Sequence, residues 1–270
     1  MEQNIMPQLD NPDTFKAALV IIGNEILSGR TADANTPWIA ERLTERGILL
    51  VEVRIIPDVE RIILSTLNQL RADYDYVFTT GGIGPTHDDI TAESVAKVFG
   101  VPLVQNDQAT RILADYYGTE KLEFPRAKMA MIPQGAKLIP NPVSAAPGFI
   151  IENVHVMAGV PRIMQAMMDH VLGEIKAGKP ILSNTVACSL LESKVAEDLT
   201  ELQKNYPDVD IGSYPHYRGG TMGLSLVLRA TNNENLDLAT AEILKIIRKH
   251  GDEPRALSIR SSGKAMEGLG

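Results

Sequence analysis

The chain holds 270 residues, 44% hydrophobic and 22% charged, which suits a globular protein of one medium and one small domain. A net charge of −8 argues against a nucleic-acid backbone as partner, and 5% aromatics leave little for a single-strand stacking platform. A single cysteine, Cys188, rules out an internal disulfide framework, and no window offers the roughly 20 apolar residues of a membrane-crossing helix. A cytoplasmic protein is expected, with no membrane partner.

Residues 1–14 are polar, hold two prolines and lack the charged and apolar regions of a signal peptide. They read as a flexible arm. AALVII, residues 17–22, is a short continuous apolar run, as in a strand buried on both faces of a parallel sheet. A helix is predicted next, capped by Asn35 or Thr36, with Pro37 in its first turn. Trp38, Ile39 and Leu43 share its inner face, and Gly47 stops it. Residues 48–56 read as a second strand, 59–71 as a second helix and 75–80 as a third strand. A third helix is predicted from Thr91 to Phe99. Strand and helix thus alternate three times, the signature of a doubly wound α/β sheet. Ligands of such sheets sit outside the carboxyl ends of the strands.

Residues 106–117 and 124–131 look helical, and the proline-rich 133–148 looks like a loop. GFIIENVHVMAG reads as a hairpin, followed by a helix from near Val160 to near Gly178. From residue 180 a strand, a helix, two strands around a glycine-rich turn and a last helix give a small α+β domain to about residue 250. Tyr214, His216, Tyr217 and Arg218 near that turn read as a plain hairpin end, or as a lid over a neighbouring site. Residues 251–270 carry few large apolar groups and read as a disordered tail. Cys188 reads as a packed thiol.

The stretch TTGGIGPTHDDIT, residues 79–91, carries the strongest chemical signal. Gly81, Gly82 and Gly84 let backbone amides approach a ligand, and the following helix start favours phosphate. Thr80 and Thr86 are candidate hydrogen-bond partners for phosphate or ribose oxygens. Asp88 and Asp89 fit beside a phosphate in two ways. They hold a divalent ion that bridges to it, or they accept hydrogen bonds from a polar ring while the amides take the phosphate. A plain helix cap needs only one of them. Glu25, after the first strand, reads equally as a ligand in the same crevice or as a first-turn glutamate. Asp58, after the second strand, reads as a helix cap or as a ligand contact.

IIGNEILSGRTADANTPWIAERL, TTGGIGPTHDDITAESVAKVFG, NPVSAAPGF and AGVP resemble the molybdopterin-binding-like domain of the competence/damage-inducible CinA family. The same domain begins eukaryotic FAD synthases and, more distantly, forms MoaB, MogA and part of gephyrin. The likeness runs from about residue 17 to 178, and YPDVDIGSYP with GLSLVLR is similar to the small domain that follows it in stand-alone relatives. The resemblance implies a three-layer α/β/α, mostly parallel sheet of the MogA type with a small C-terminal α+β domain. It implies a homo-oligomer too. It divides the chain into an arm 1–14, a MoaB/Mog-like domain 15–178, a small domain 180–250 and a tail 251–270.

By matching motif, Asp89 and Asp58 correspond to family aspartates, and Asn35 to the asparagine at the first helix. Asn141, Pro142, Ala146, Pro147 and Gly148 match a loop that closes over the phosphate side. Gly159, Val160 and Pro161 match an amide-rich helix start. The chain departs from the family at Ser144, at Ala158 and at Ile163, where CinA proteins often carry a glutamate. The MoaB and MogA branch binds or adenylates molybdopterin. The CinA and FAD synthase branches are linked to hydrolysis of ADP-ribose and FAD. The first expectation is therefore a nucleotide or dinucleotide pyrophosphate hydrolysed with Mg²⁺, Mn²⁺ or Co²⁺ on Asp88, Asp89 and Glu25. Asp58 would share in the catalysis. The alternatives are a molybdopterin-binding protein, or a nucleotide-binding regulator without turnover.

Overall fold

The computed structural model of the chain describes residues 14–218 and 221–259. The first compact unit, Phe15–Gly178, is built on one six-stranded sheet. In chain order its elements are β1 (Phe15–Ile22), α1 (Asn24–Leu27), α2 (Asn35–Glu45), β2 (Ile48–Ile56), α3 (Glu60–Asp73) and β3 (Tyr76–Thr80). Then come α4 (Thr91–Phe99), β4 (Leu103–Gln105), α5 (Asp107–Tyr117), β5 (Met131–Pro133), β6 (Lys137–Ile139), β7 (Gly148–Ile151), β8 (Val154–Met157) and α6 (Pro161–Glu174).

The sheet order is β2-β1-β3-β8-β7-β6. β1 pairs parallel with β2 and β3, and β3 pairs parallel with β8. Only β7 runs against its neighbours. This is the mostly parallel α/β sheet with helices on both faces that the sequence led us to expect. β1 is central and apolar at every core position, so it serves two cores. Ala18, Val20 and Ile22 face Ile63, Leu67 and Leu70 of α3 and Val95 and Val98 of α4. Ala17, Leu19 and Ile21 face Ile39 and Leu43 of α2 and the methionines of α6. Each fully buried aliphatic side chain stabilises by about 1.5–3 kcal/mol, so both helical layers are held to the sheet.

Several expectations give way to the structure. α2 is not capped by Asn35 or Thr36; the Asp33 carboxylate accepts from both of their backbone amides, at 2.9 and 3.1 Å. Residues 124–131 form a short 3₁₀ turn, Arg126–Ala130, that runs into β5. The expected loop 133–148 contains β6, which pairs with β7. Its three residues are too few to show a period-2 pattern between turn residues.

A second compact unit begins at Lys179. Its elements are β9 (Leu182–Cys188), α7 (Glu192–Asn205), β10 (Asp210–Arg218), β11 (Thr221–Ala230), α8 (Asn233–Lys249) and β12 (Arg255–Ile259). They form an antiparallel sheet of order β10-β11-β9-β12 with its own core. Leu224, Leu226 and Leu228 alternate inward from β11, and the Asn232 side chain caps α8. The buried thiol of Cys188 is pushed above its ordinary pKa by desolvation. β12 lies inside the segment read as a disordered tail; it pairs with β9 although its sequence lacks a strong apolar run. Most of the arm, residues 1–13, and the rest of the tail, residues 260–270, lie outside the described residues. Among the described residues, no helix is long and apolar enough to cross a membrane.

Candidate functional site

The register brings four strand ends to one level. Ile22 of β1 stands beside Ile56 of β2, Ile21 beside Thr80 of β3, and Thr80 beside Met157 of β8. The loops that leave these strands therefore emerge together. They wall a cavity of about 500 Å³, a volume typical of small-ligand sites.

The glycine turn forms the floor. Gly81 adopts φ +105°, and a Cβ there would stand 2.1 Å from the Ile22 carbonyl oxygen. Gly82 adopts φ +66°, and its Cβ would stand 2.2 Å from Thr91 Oγ1. Only glycine satisfies both the left-handed backbone and the close approach. Thr91, the first residue of α4, locks the turn to the helix. Its amide donates to the Gly82 carbonyl at 3.0 Å and its hydroxyl to that of Gly81 at 3.1 Å.

Glu25, Asp58, Asp88 and Asp89 all line this cavity. Asp58 accepts from the Asn24 amide at 3.0 Å, which ties the loop after β2 to α1. Burial pushes the Asp58 carboxyl above its usual range, and the charges of Glu25 and Asp88 add to that shift. Asp89 accepts from the Thr86 amide at 2.8 Å and from the Thr86 hydroxyl. The same hydroxyl, aided by nearby His87 and Lys128, holds Asp88 below the usual carboxylate range. Among the described lining residues there is no Lys, Arg or His.

The predicted site residues fall into two groups. Gly81, Gly82, Gly84, Asn141 and Gly159 line the cavity with the four carboxylates. Thr80, Thr86, Asn35, Pro147 and Gly148 do not. Thr80 is buried within β3, and Thr86 spends its amide on Asp89 and its hydroxyl on the adjacent carboxylates of Asp88 and Asp89. Asn35 is buried and donates to the Gly159 carbonyl at 2.9 Å, so it positions the loop after β8. Gly148 lies in β7, where a Cβ would stand 2.3 Å from the Val156 carbonyl. Asn141 commits its side chain to its own loop. Its Nδ2 donates to Ser144 Oγ and the Ala146 carbonyl, and its Oδ1 accepts from the amides of Val143 and Ser144.

The metal set expected from the sequence is not assembled. Among the described residues, no group of three or more His, Cys, Asp or Glu side chains is gathered to hold a metal ion. Asp58 and Asp89 each turn an oxygen to a backbone amide instead. The donor set therefore does not fit a resident divalent ion.

The structure adds Lys128, which sequence reasoning missed. A smaller cavity of about 70 Å³ adjoins the first and shares Gly82, Ile83, Gly84, Asp89 and Met129 with it. Pro147 and Lys128 line it. The Lys128 ammonium donates to the Thr86 carbonyl, across the glycine turn. Nothing in the local sequence marks this lysine, because it arrives from 42 residues away. Ile163, in the first turns of α6, lines the larger cavity with Ile83 and Met129.

Comparisons with known proteins agree with this layout. The family described as the probable molybdopterin binding domain matches residues 18–177, and the FAD synthase middle domain matches residues 180–252. A protein of Archaeoglobus fulgidus is 36% identical over 197 residues, 73% of this chain and 84% of its own. Among solved structures, CinA of Thermoplasma acidophilum, a protein with unknown function, is 33% identical with a TM-score of 0.57. The match covers 60% of this chain and 98% of that one. The tungsten cofactor synthesizing protein MoaB of Pyrococcus furiosus matches with a TM-score of 0.41 and 23% identity, over 61% of this chain and 94% of that one.

Proposed function

The chain belongs to the probable molybdopterin binding domain family, and from that premise we propose that its cavity binds a phosphorylated pterin of the molybdopterin class. One observation carries the reading: the cavity lining combines two kinds of group. Glu25, Asp58, Asp88 and Asp89 supply carboxylates. Ionised carboxylates only accept hydrogen bonds, and the aminopyrimidinone edge of a pterin offers a row of N–H donors. Among them stands a glycine turn. Gly82 and Gly84, which carry no side chain, and the start of α6 at Val160 line the same cavity, with Lys128 in the adjoining one. Glycine backbone and a helix start suit a phosphate.

A bare anion would be repelled by the carboxylates, and a neutral ring alone would leave the glycine turn unused. A ligand with both a donor edge and a phosphate uses both. Ile83, Met129 and Ile163 supply apolar contact for the faces of a ring. The raised pKa of Asp58, caused first by burial and then by the charges of Glu25 and Asp88, supports the same reading, because a donor edge satisfies a desolvated carboxylate. Metal-dependent hydrolysis of a dinucleotide pyrophosphate ranks second, since the carboxylates do not gather into a metal-holding group.

The test is a titration followed by pterin fluorescence, with a pterin monophosphate and the same pterin without phosphate. The phosphorylated form is expected to bind at least about tenfold more tightly, the effect of one or two charge-assisted hydrogen bonds. Absence of binding by either pterin, with metal-dependent AMP release from ADP-ribose or FAD, would reverse the ranking.

A further inference from the structure

The antiparallel sheet of the second unit has two unlike faces. One presents Val186, Leu224, Leu226 and Leu228 to the core that it shares with α7 and α8. Side chains alternate along a strand, so Tyr214 and His216 of β10 and Ser225 of β11 belong to the other face. There Tyr214 opposes Ser225, Ser225 opposes Ala187 of β9, and Ala187 opposes Arg255 of β12. The four residues form one row straight across the sheet, with an aromatic ring at one end and a cation at the other.

Glycine shapes the ring end. A Cβ on Gly212 would stand 2.7 Å from Tyr214 Cε2 and 2.8 Å from its hydroxyl oxygen, and one on Gly223 would stand 2.7 Å from His216 Nε2. Both rings therefore lie along the sheet, over residues that carry no side chain, instead of standing away from it. His216 Nδ1 is 3.4 Å from Ser225 Oγ. Tyr214 remains 48% exposed, and Arg255 is exposed at the far end. Between them Ser225 and Ala187 are small, so the row dips at its centre. The acid of the same face, Asp210, is paired with Arg229 at 3.4 Å.

We propose that this row binds a nucleoside monophosphate, with the base on Tyr214 and His216, the sugar over Ser225 and Ala187, and the phosphate at Arg255. Aromatic rings laid along a sheet take a planar base by stacking. A guanidinium matches the oxygens of a phosphate. The row spans three strand spacings, about 14 Å, which suits a ring and an anion held apart by a sugar better than either alone. One short platform on a chain of net charge −8 favours a small ligand over a nucleic-acid strand. The proposal concerns the second unit and is independent of the ligand in the cavity of the first.

The test is isothermal titration of the full chain with AMP, adenosine and ribose 5-phosphate. AMP is expected to bind more tightly than either fragment. Tyr214→Ala should weaken AMP and adenosine about tenfold, whereas Tyr214→Phe should keep both, because stacking needs the ring and not its hydroxyl. Arg255→Ala should weaken AMP about tenfold and leave adenosine unchanged. Asp58→Asn, in the other unit, should leave AMP binding as it is. A wild type that takes no AMP at millimolar concentration would overturn the proposal. So would AMP binding that survives Tyr214→Ala, or a single-stranded oligonucleotide that binds this row more tightly than AMP.

Discussion

Replacing Gly82 with alanine tests how the glycine turn and α4 are joined. The new Cβ would stand 2.2 Å from Thr91 Oγ1, far inside contact distance, at a residue whose φ is +66°. A left-handed backbone costs an alanine about 1–2 kcal/mol. Thr91 is fully buried, so it cannot swing into solvent, and forcing it aside adds about 1–3 kcal/mol of overpacking. Its hydroxyl bond to the Gly81 carbonyl, worth about 1 kcal/mol, is broken as it moves. The expected loss is about 3–6 kcal/mol, or roughly a 6–24 °C fall in Tm for a unit of this size. Thermal denaturation followed by circular dichroism measures it. Thr91→Ala removes the obstructing atom, so the double variant should be more stable than the two single losses added together. A Gly82→Ala protein with the parental Tm, or strict additivity in the cycle, would refute this account of the turn.

Asp58→Asn should separate function from stability. Its folded pKa is raised, so ionising it above the unfolded value costs the fold free energy. The variant should melt at or above the parent at pH 7 while binding a pterin phosphate about 10–100-fold more weakly, as titration would show. Lys128→Ala should weaken the phosphorylated pterin about tenfold and leave the dephosphorylated one nearly unchanged in the same assay. Burial lowers the pKa of His155 to about 4, so the unfolded chain takes up its proton first as the pH falls. Stability from this group is complete above pH 6.5 and declines by about 3 kcal/mol towards pH 4. Urea midpoints across that range should show the decline, and His155→Gln should flatten it.

The fold was legible where one physical signal dominated. The run AALVII could only be a strand buried on both faces, and it is the strand that feeds both cores. TTGGIGPTHDDIT announced a close backbone approach, and all three of its glycines stand where a Cβ would collide with neighbouring atoms. Legibility failed where a side chain's duty depends on a distant partner. Asn35 looked like a cap, yet Asp33 caps α2 and Asn35 braces Gly159, 124 residues away. Asn141 lines the cavity, and the sequence did not show that it also organises its own loop. Lys128 reaches the glycine turn from a segment with no motif. β12 was missed because its strand pairing with β9, not its composition, makes it a strand.

The conflict between glycines and aspartates in one turn has a structural resolution. Gly84 is bare because the Asp89 carboxylate occupies the space beside it; a Cβ there would stand 2.7 Å from Oδ2. That same oxygen accepts the Thr86 amide, so Asp89 braces the turn while also lining the cavity. Asp58 does likewise for the loop after β1, through the Asn24 amide. Both carboxylates are thus fixed by main chain before any ligand arrives, which reduces the side-chain ordering that binding would otherwise require. An acid immobilised in this way is a well-placed acceptor for a directional N–H donor. A small cation needs several oxygens to converge on one point, and among the described residues no group of three or more such side chains is gathered. The division of labour within these residues therefore favours recognition of a donor-bearing ring over tethering of a counter-ion.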